Sequence, residues 1–108
     1  MNRKAIITGA TRGIGREIAT RLAGEGIDLS LVARNKDKLQ ELAEEISQKG
    51  IRTLPIAMDL EDEEAPEEIM QQTVSEFGGI DILINNAGMP HKAPISEADP
   101  GLWNKMFA

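Results

Sequence analysis

Near the N-terminus runs Thr8-Gly9-Ala10-Thr11-Arg12-Gly13-Ile14-Gly15, with its glycines spaced Gly-x-x-x-Gly-x-Gly. Glycine takes backbone angles that other residues avoid and lets a ligand come close to the chain. Where such a segment turns from a strand into a helix, free N–H groups and the positive end of the helix dipole face the turn. That arrangement suits a pyrophosphate. The spacing differs from the Gly-x-Gly-x-x-Gly of the commonest dinucleotide fingerprint. Three glycines alone would also serve a flexible strand-to-helix turn, so position has to decide. Before them lies the β-branched-rich apolar run Lys4–Thr8, which reads as a buried parallel strand. After them Ile14, Ile18, Ala19, Leu22 and Ala23 follow helical spacing. Gly9, Ala10, Thr11, Arg12, Gly13, Ile14 and Gly15 are therefore read as a phosphate cradle. Gly15 would also let the helix pack closely on the sheet.

A second apolar run ends Val32-Ala33-Arg34-Asn35. In a doubly wound sheet the residue ending the second strand meets a ribose. An acid there bonds both hydroxyls of NAD and repels a 2′-phosphate, whereas arginine does the opposite. Ala33 stands at the acidic position and Arg34 follows it. The planar guanidinium of Arg34 can meet a phosphate with several donors, and Arg12 could reach the same group. The pair favours NADP(H) over NAD(H). The alternative is two exposed arginines in ordinary surface ion pairs. Asn35 reads as a helix N-cap and, beside Arg34, as a cofactor contact.

Some chemistry is excluded outright. The sequence has no tyrosine, so no phenol can act as general acid within it. It has no cysteine and one histidine, which removes disulfides, thiolate chemistry and any Cys- or His-rich metal site. His91 reads as a solvated loop residue.

The elements that must hold these residues alternate along the chain. A strand over Lys4–Thr8 precedes a helix from Ile14, which ends near Gly24 and Gly26. A second strand spans Ile27–Ala33. A second helix follows Asn35, with Leu39, Leu42, Ala43 and Ile46 as its apolar stripe and Gly50 after it. A third strand spans Ile51–Met58, where Pro55 points to a sheet edge. The third helix is expected over Glu61–Phe77, acid-rich at its start, with Ile69, Met70, Thr73, Val74 and Phe77 facing inward. Gly78 and Gly79 stop it. A fourth strand spans Ile80–Ile84, and a loop leads to a helical start at Asp99. This βαβαβαβ order implies an α/β fold, a Rossmann-type doubly wound parallel sheet with helices on both faces. Only its first four strands are present, in the order 3-2-1-4.

With 108 residues the chain allows one domain, read as the N-terminal part of a single dinucleotide-binding unit over 1–108. Net charge −6 argues against nucleic acid as the main partner. No apolar run has membrane-spanning length and no leader is evident, so a cytoplasmic location is expected. Leu102, Trp103, Met106 and Phe107 are still in helical register at the last residue, Ala108, with no cap or breaker. A fragment of a longer chain is expected.

Taken together, these motifs resemble the short-chain dehydrogenase/reductase family. Thr-Gly-x-x-x-Gly-Ile-Gly looks like that family's cofactor loop. Asn85-Asn86-Ala87-Gly88 matches its Asn-Asn-Ala-Gly motif after the fourth strand, and Asp59-Leu60 follows the third strand, where family members commonly carry an acid. The surroundings of Trp103 resemble the start of the family's next helix. The likeness covers essentially the whole chain and is strongest toward ketoacyl-reductase-like members.

The resemblance implies hydride transfer between a nicotinamide dinucleotide and a small carbonyl or alcohol substrate, usually in a homo-oligomer. It places Asp59, with Leu60, at the adenine; an N-cap for the third helix is an equal and compatible role for Asp59. It lays Asn86, Ala87 and Gly88 along the adenosine ribose. Asn85 more simply ties neighbouring strands together. Basic residues at the positions of Arg12 and Arg34 are typical of NADP-preferring relatives. The family's chemistry rests on an Asn, a Ser and a Tyr-x-x-x-Lys pair on a later helix. None of these is carried over, since Ser96 and Lys105 do not match the catalytic positions. The chain is thus expected to hold cofactor with little or no turnover and, if isolated, to self-associate through the fourth strand or the helix around Trp103. A non-catalytic dinucleotide-binding module and a structural half-fold remain the alternatives. A methyl-donor-binding fold also uses a glycine loop, but would not be expected to carry Asn-Asn-Ala-Gly after strand 4.

Overall fold

The computed structural model describes residues 2–86. Four parallel strands form one sheet: β1 (Lys4–Thr8), β2 (Asp28–Ala33), β3 (Thr53–Ala57) and β4 (Ile82–Asn85). Their order is β3-β2-β1-β4, as expected. Three helices connect them: α1 (Gly13–Gly24), α2 (Lys36–Ser47) and α3 (Ala65–Phe77). Ala87, Gly88, His91 and the helix expected from Asp99 lie outside the described residues.

A parallel sheet must bury both faces, because its crossover helices have to cover them. Successive side chains alternate, and the two cores separate accordingly. Ala5, Ile7, Leu29 and Leu31 pack with Ala19 and Ala23 of α1 and with Leu39, Leu42 and Ile46 of α2. Ile6, Val32, Ile56 and Leu83 pack on the other side with Ala65, Ile69 and Met70 of α3. Pro55 lies on β3, an edge strand where its missing N–H costs no ladder bond.

Several boundaries differ from the sequence reading, each for a local reason. Ile27 is not the first residue of β2. Gly26 adopts φ 81°, its N–H donates to Ala23 O, and the Ile27 N–H donates to Leu22 O. That pattern is a Schellman termination of α1, so Ile27 belongs to the helix stop. Helix α3 begins at Ala65 rather than Glu61. Asp59 Oδ1 accepts from Glu61 N–H (2.9 Å) and Asp62 Oδ1 from Glu64 N–H (3.0 Å). With Asp62 N–H on Asp59 O and Ala65 N–H on Asp62 O, the segment forms successive short turns and no continuous helix, and Pro66 is suited only to a first turn. Asp59 therefore does not cap α3; the N-cap position is Glu64 and has no side-chain bond. Val74 was expected inward but is 46% exposed. Ile14 is 68% exposed, unlike the rest of its stripe.

At the amino edge of the sheet, aspartates take over from the ladder. Asp81 Oδ2 accepts from Lys4 N–H (2.9 Å), so β4 starts at Ile82 and not Ile80. Asp28, with a side chain only 1% exposed, accepts from Arg52 N–H (2.9 Å) and Asn2 Nδ2 (3.1 Å). The Arg52 guanidinium forks onto Asp28 Oδ2 at 3.0 and 2.8 Å and lies 5.0 Å over the Phe77 ring. β3 correspondingly begins at Thr53, after Arg52, rather than at Ile51. Burial pushes the Asp28 carboxyl up, but the hydrogen bonds from the Arg52 backbone, Asn2 and the Arg52 side chain, with its charge, outweigh it. The net result is a pKa below the ordinary 3.8. On α3, Thr73 Oγ1 donates to Ile69 O (2.8 Å) and bonds Ser30 Oγ of β2 (2.9 Å), a buried hydroxyl pair.

Two outcomes follow. A carboxylate with a depressed folded pKa stabilises the fold above its unfolded pKa, and that contribution is lost as pH falls through the folded value. Urea unfolding of Asp28→Asn should therefore show a loss of about 1.5–3 kcal/mol at neutral pH. It should also show a flatter decline than the parent as pH drops below 3.8. Parallel acid limbs would contradict the assignment. Thr73→Val should cost about 1–3 kcal/mol by stranding the Ser30 hydroxyl, and adding Ser30→Ala should recover much of it.

Candidate active site: the carboxyl edge of the sheet

The strand register aligns Thr8 with Val32 and with Asn85, and Ala33 with Ala57. The segments leaving these strands therefore emerge from one edge. The glycine loop follows β1, Arg34 and Asn35 follow β2, Asp59 and Leu60 lie two and three residues past β3, and Asn86 follows β4. β1 is followed by β2 on one side, while β4 lies on its other side, so the loop sits at the topological switch point where open α/β sheets bind ligands.

The loop reaches the helix through two residues of positive φ, Gly9 (65°) and Gly13 (34°). Arg16 N–H is bonded to Arg12 O (3.1 Å). The N–H groups of Gly13, Ile14 and Gly15 precede the first possible intrahelical donor and have no acceptor within the helix. No side chain caps α1 and no acid lies in its first turn. The other helices differ. Asn35 Oδ1 caps α2 through Lys38 N–H (3.1 Å) and Asp37 follows, while α3 carries Glu67 and Glu68 in its first turn. Within the loop, Ala10 is fully buried and its N–H is spent on Val32 O (3.2 Å), so it shapes the cradle and offers no donor.

Gly15 is pressed against its surroundings. A Cβ there would overlap Gly9 O and come within 2.5 Å of Asn86 Nδ2. Close packing was expected at this position, but the partners are the loop itself and the end of β4. Thr8 completes the join, a role the sequence reading missed. Its hydroxyl donates to Asn85 Oδ1 (2.9 Å) and accepts from Asn86 N–H (3.0 Å). The strand-tying role expected of Asn85 is present in that bond.

Arg12 and Arg34 are exposed, and neither forms an ion pair or side-chain hydrogen bond among the described residues. The ordinary surface pairs weighed against a functional role are therefore absent there. Asp59 is exposed with one oxygen held by Glu61 N–H. Leu60 packs against the α3-side core. Among the described residues no group of three or more His, Cys, Asp or Glu could hold a metal, and no helix is long and apolar enough to cross a membrane.

Gly15→Ala should destabilise the chain by about 1–3 kcal/mol, because backbone has to move. Gly24→Ala, in the same helix with open space around its Cβ, should be neutral or stabilise by up to about 1 kcal/mol. Equal effects in thermal or urea unfolding would remove the close approach from the account.

Comparison with known proteins agrees with this geometry. The family model described as short chain dehydrogenase matches residues 3–108. The 3-oxoacyl-[acyl-carrier-protein] reductase FabG of Staphylococcus epidermidis is 42% identical over 90 residues, covering 82% of this chain and 37% of that protein. Among solved structures, L-sorbose reductase of Gluconobacter frateurii complexed with NADPH and L-sorbose matches with TM-score 0.77 at 40% identity, over 95% of this chain and 40% of that one. The alcohol dehydrogenase of Thermococcus sibiricus complexed with 5-hydroxy-NADP matches with TM-score 0.73 at 37% identity, over 77% of this chain and 36% of that one. This chain thus spans well under half the length of the relatives it matches. A match over residues 3–108, on a sheet of order β3-β2-β1-β4 with its glycine loop at the switch point, places this chain in the short-chain dehydrogenase family of oxidoreductases.

Proposed function

We propose that this chain is the cofactor-binding portion of an NADP(H)-dependent oxidoreductase that reduces a carbonyl or oxidises an alcohol. The observation that carries the reading is the uncapped, acid-free N-terminus of α1, opening at the switch point through Gly9 and Gly13. The donor set fits a dinucleotide. The amides of Gly13, Ile14 and Gly15, without acceptors inside the helix, are assigned with that of Thr11 to a diphosphate, whose charge the dipole of α1 favours. Arg34 and Arg12, both without ion-pair partners among the described residues, are assigned to a 2′-phosphate, which is what distinguishes NADP from NAD. Asn35 turns the chain beside Arg34 while its side-chain oxygen caps α2. Asp59 and Leu60 are assigned to the adenine pocket. Asn86, held by Thr8, is assigned with Ala87 and Gly88 to the adenosine ribose.

When bound, the nicotinamide supplies or accepts hydride. The residues here hold its phosphate and adenosine end and do not supply a proton. A carbonyl oxygen that receives hydride needs a positioned acid, and the sequence has no tyrosine. Binding and turnover therefore separate in this chain. The parent enzyme is proposed to be a cytoplasmic homo-oligomer.

Calorimetric titration tests the cofactor assignment. NADPH should bind more tightly than NADH, and Arg34→Asp should shift the ratio toward NADH by about tenfold or more, equivalent to about 1.4 kcal/mol. An unchanged ratio would take Arg34 out of the site. The 108-residue chain should bind NADPH yet oxidise it no faster than buffer with a carbonyl present. Clear turnover by the pure chain would overturn the separation of binding from catalysis.

A further inference from the structure

We draw no further inference here: the strongest candidate, the outer edge of β4 with Ile82 and Ile84 half-buried beside it, carries nothing because nothing in the described residues shows what covers it.

Discussion

Between the Gly9 carbonyl and the Asn86 side-chain amide there is no room for a Cβ, and Gly15 fills that place. This close approach lets the first turn of α1 rest directly on the carboxyl edge between β1 and β4. A larger residue would push the helix outward, and its free amides would no longer converge with the loop. The same approach fixes Asn86, which Thr8 already grips through its backbone N–H. Glycine spacing, helix placement and the end of β4 are thus one constraint seen from different sides. The motif after β4 matters to the loop after β1 because they meet at this point.

The two edges of the sheet are built with opposite chemistry. At the amino edge, carboxylates of Asp28 and Asp81 accept backbone N–H groups, and Asp28 also holds a guanidinium. At the carboxyl edge the join between β1, β4 and the loop is neutral, made by a threonine hydroxyl, an asparagine amide and backbone carbonyls, and the carboxylate of Asp59 bonds only its own turn beyond β3. No acid is in the first turn of α1, although the chain carries net charge −6. An acid there would neutralise the helix dipole in advance and compete with any bound anion. Overall charge thus does not decide the chemistry at the start of α1, where free amides face the turn.

Much of this was legible in the sequence because it depends on local rules. Alternating apolar runs marked all four strands, and the Rossmann-type reading supplied their order. Pro55 announced an edge strand, and Asn35 its cap. Errors arose where one local rule had to be weighed against another. The acidic stretch after β3 looked like a helix start, yet aspartate side chains bonding two residues ahead compete with helix formation, and the chain stays in turns until Ala65. Val74 carries the right residue type for a core, but α3 covers the sheet with Ile69, Met70, Thr73 and Phe77 instead. Ile14 keeps helical spacing, but in the first turn of α1 it is Gly15 that faces the strand ends, and Ile14 is exposed. The Asp28–Arg52 pair joins residues 24 positions apart and has no local signature.

The distribution of chemistry along the chain separates two tasks of a nicotinamide-dependent oxidoreductase. Recognition of a dinucleotide's phosphates uses backbone amides, glycines and strand ends, which the first four elements of a doubly wound sheet already supply. Proton transfer needs a side chain of suitable pKa at the reacting atom, and no phenol exists in this sequence to provide one. The first task is one of backbone path at a switch point, and the second is one of particular side chains. What the described residues fix is the geometry of the loop, which depends on the missing side chain at Gly15 where Gly9 O and Asn86 Nδ2 leave no room for a Cβ.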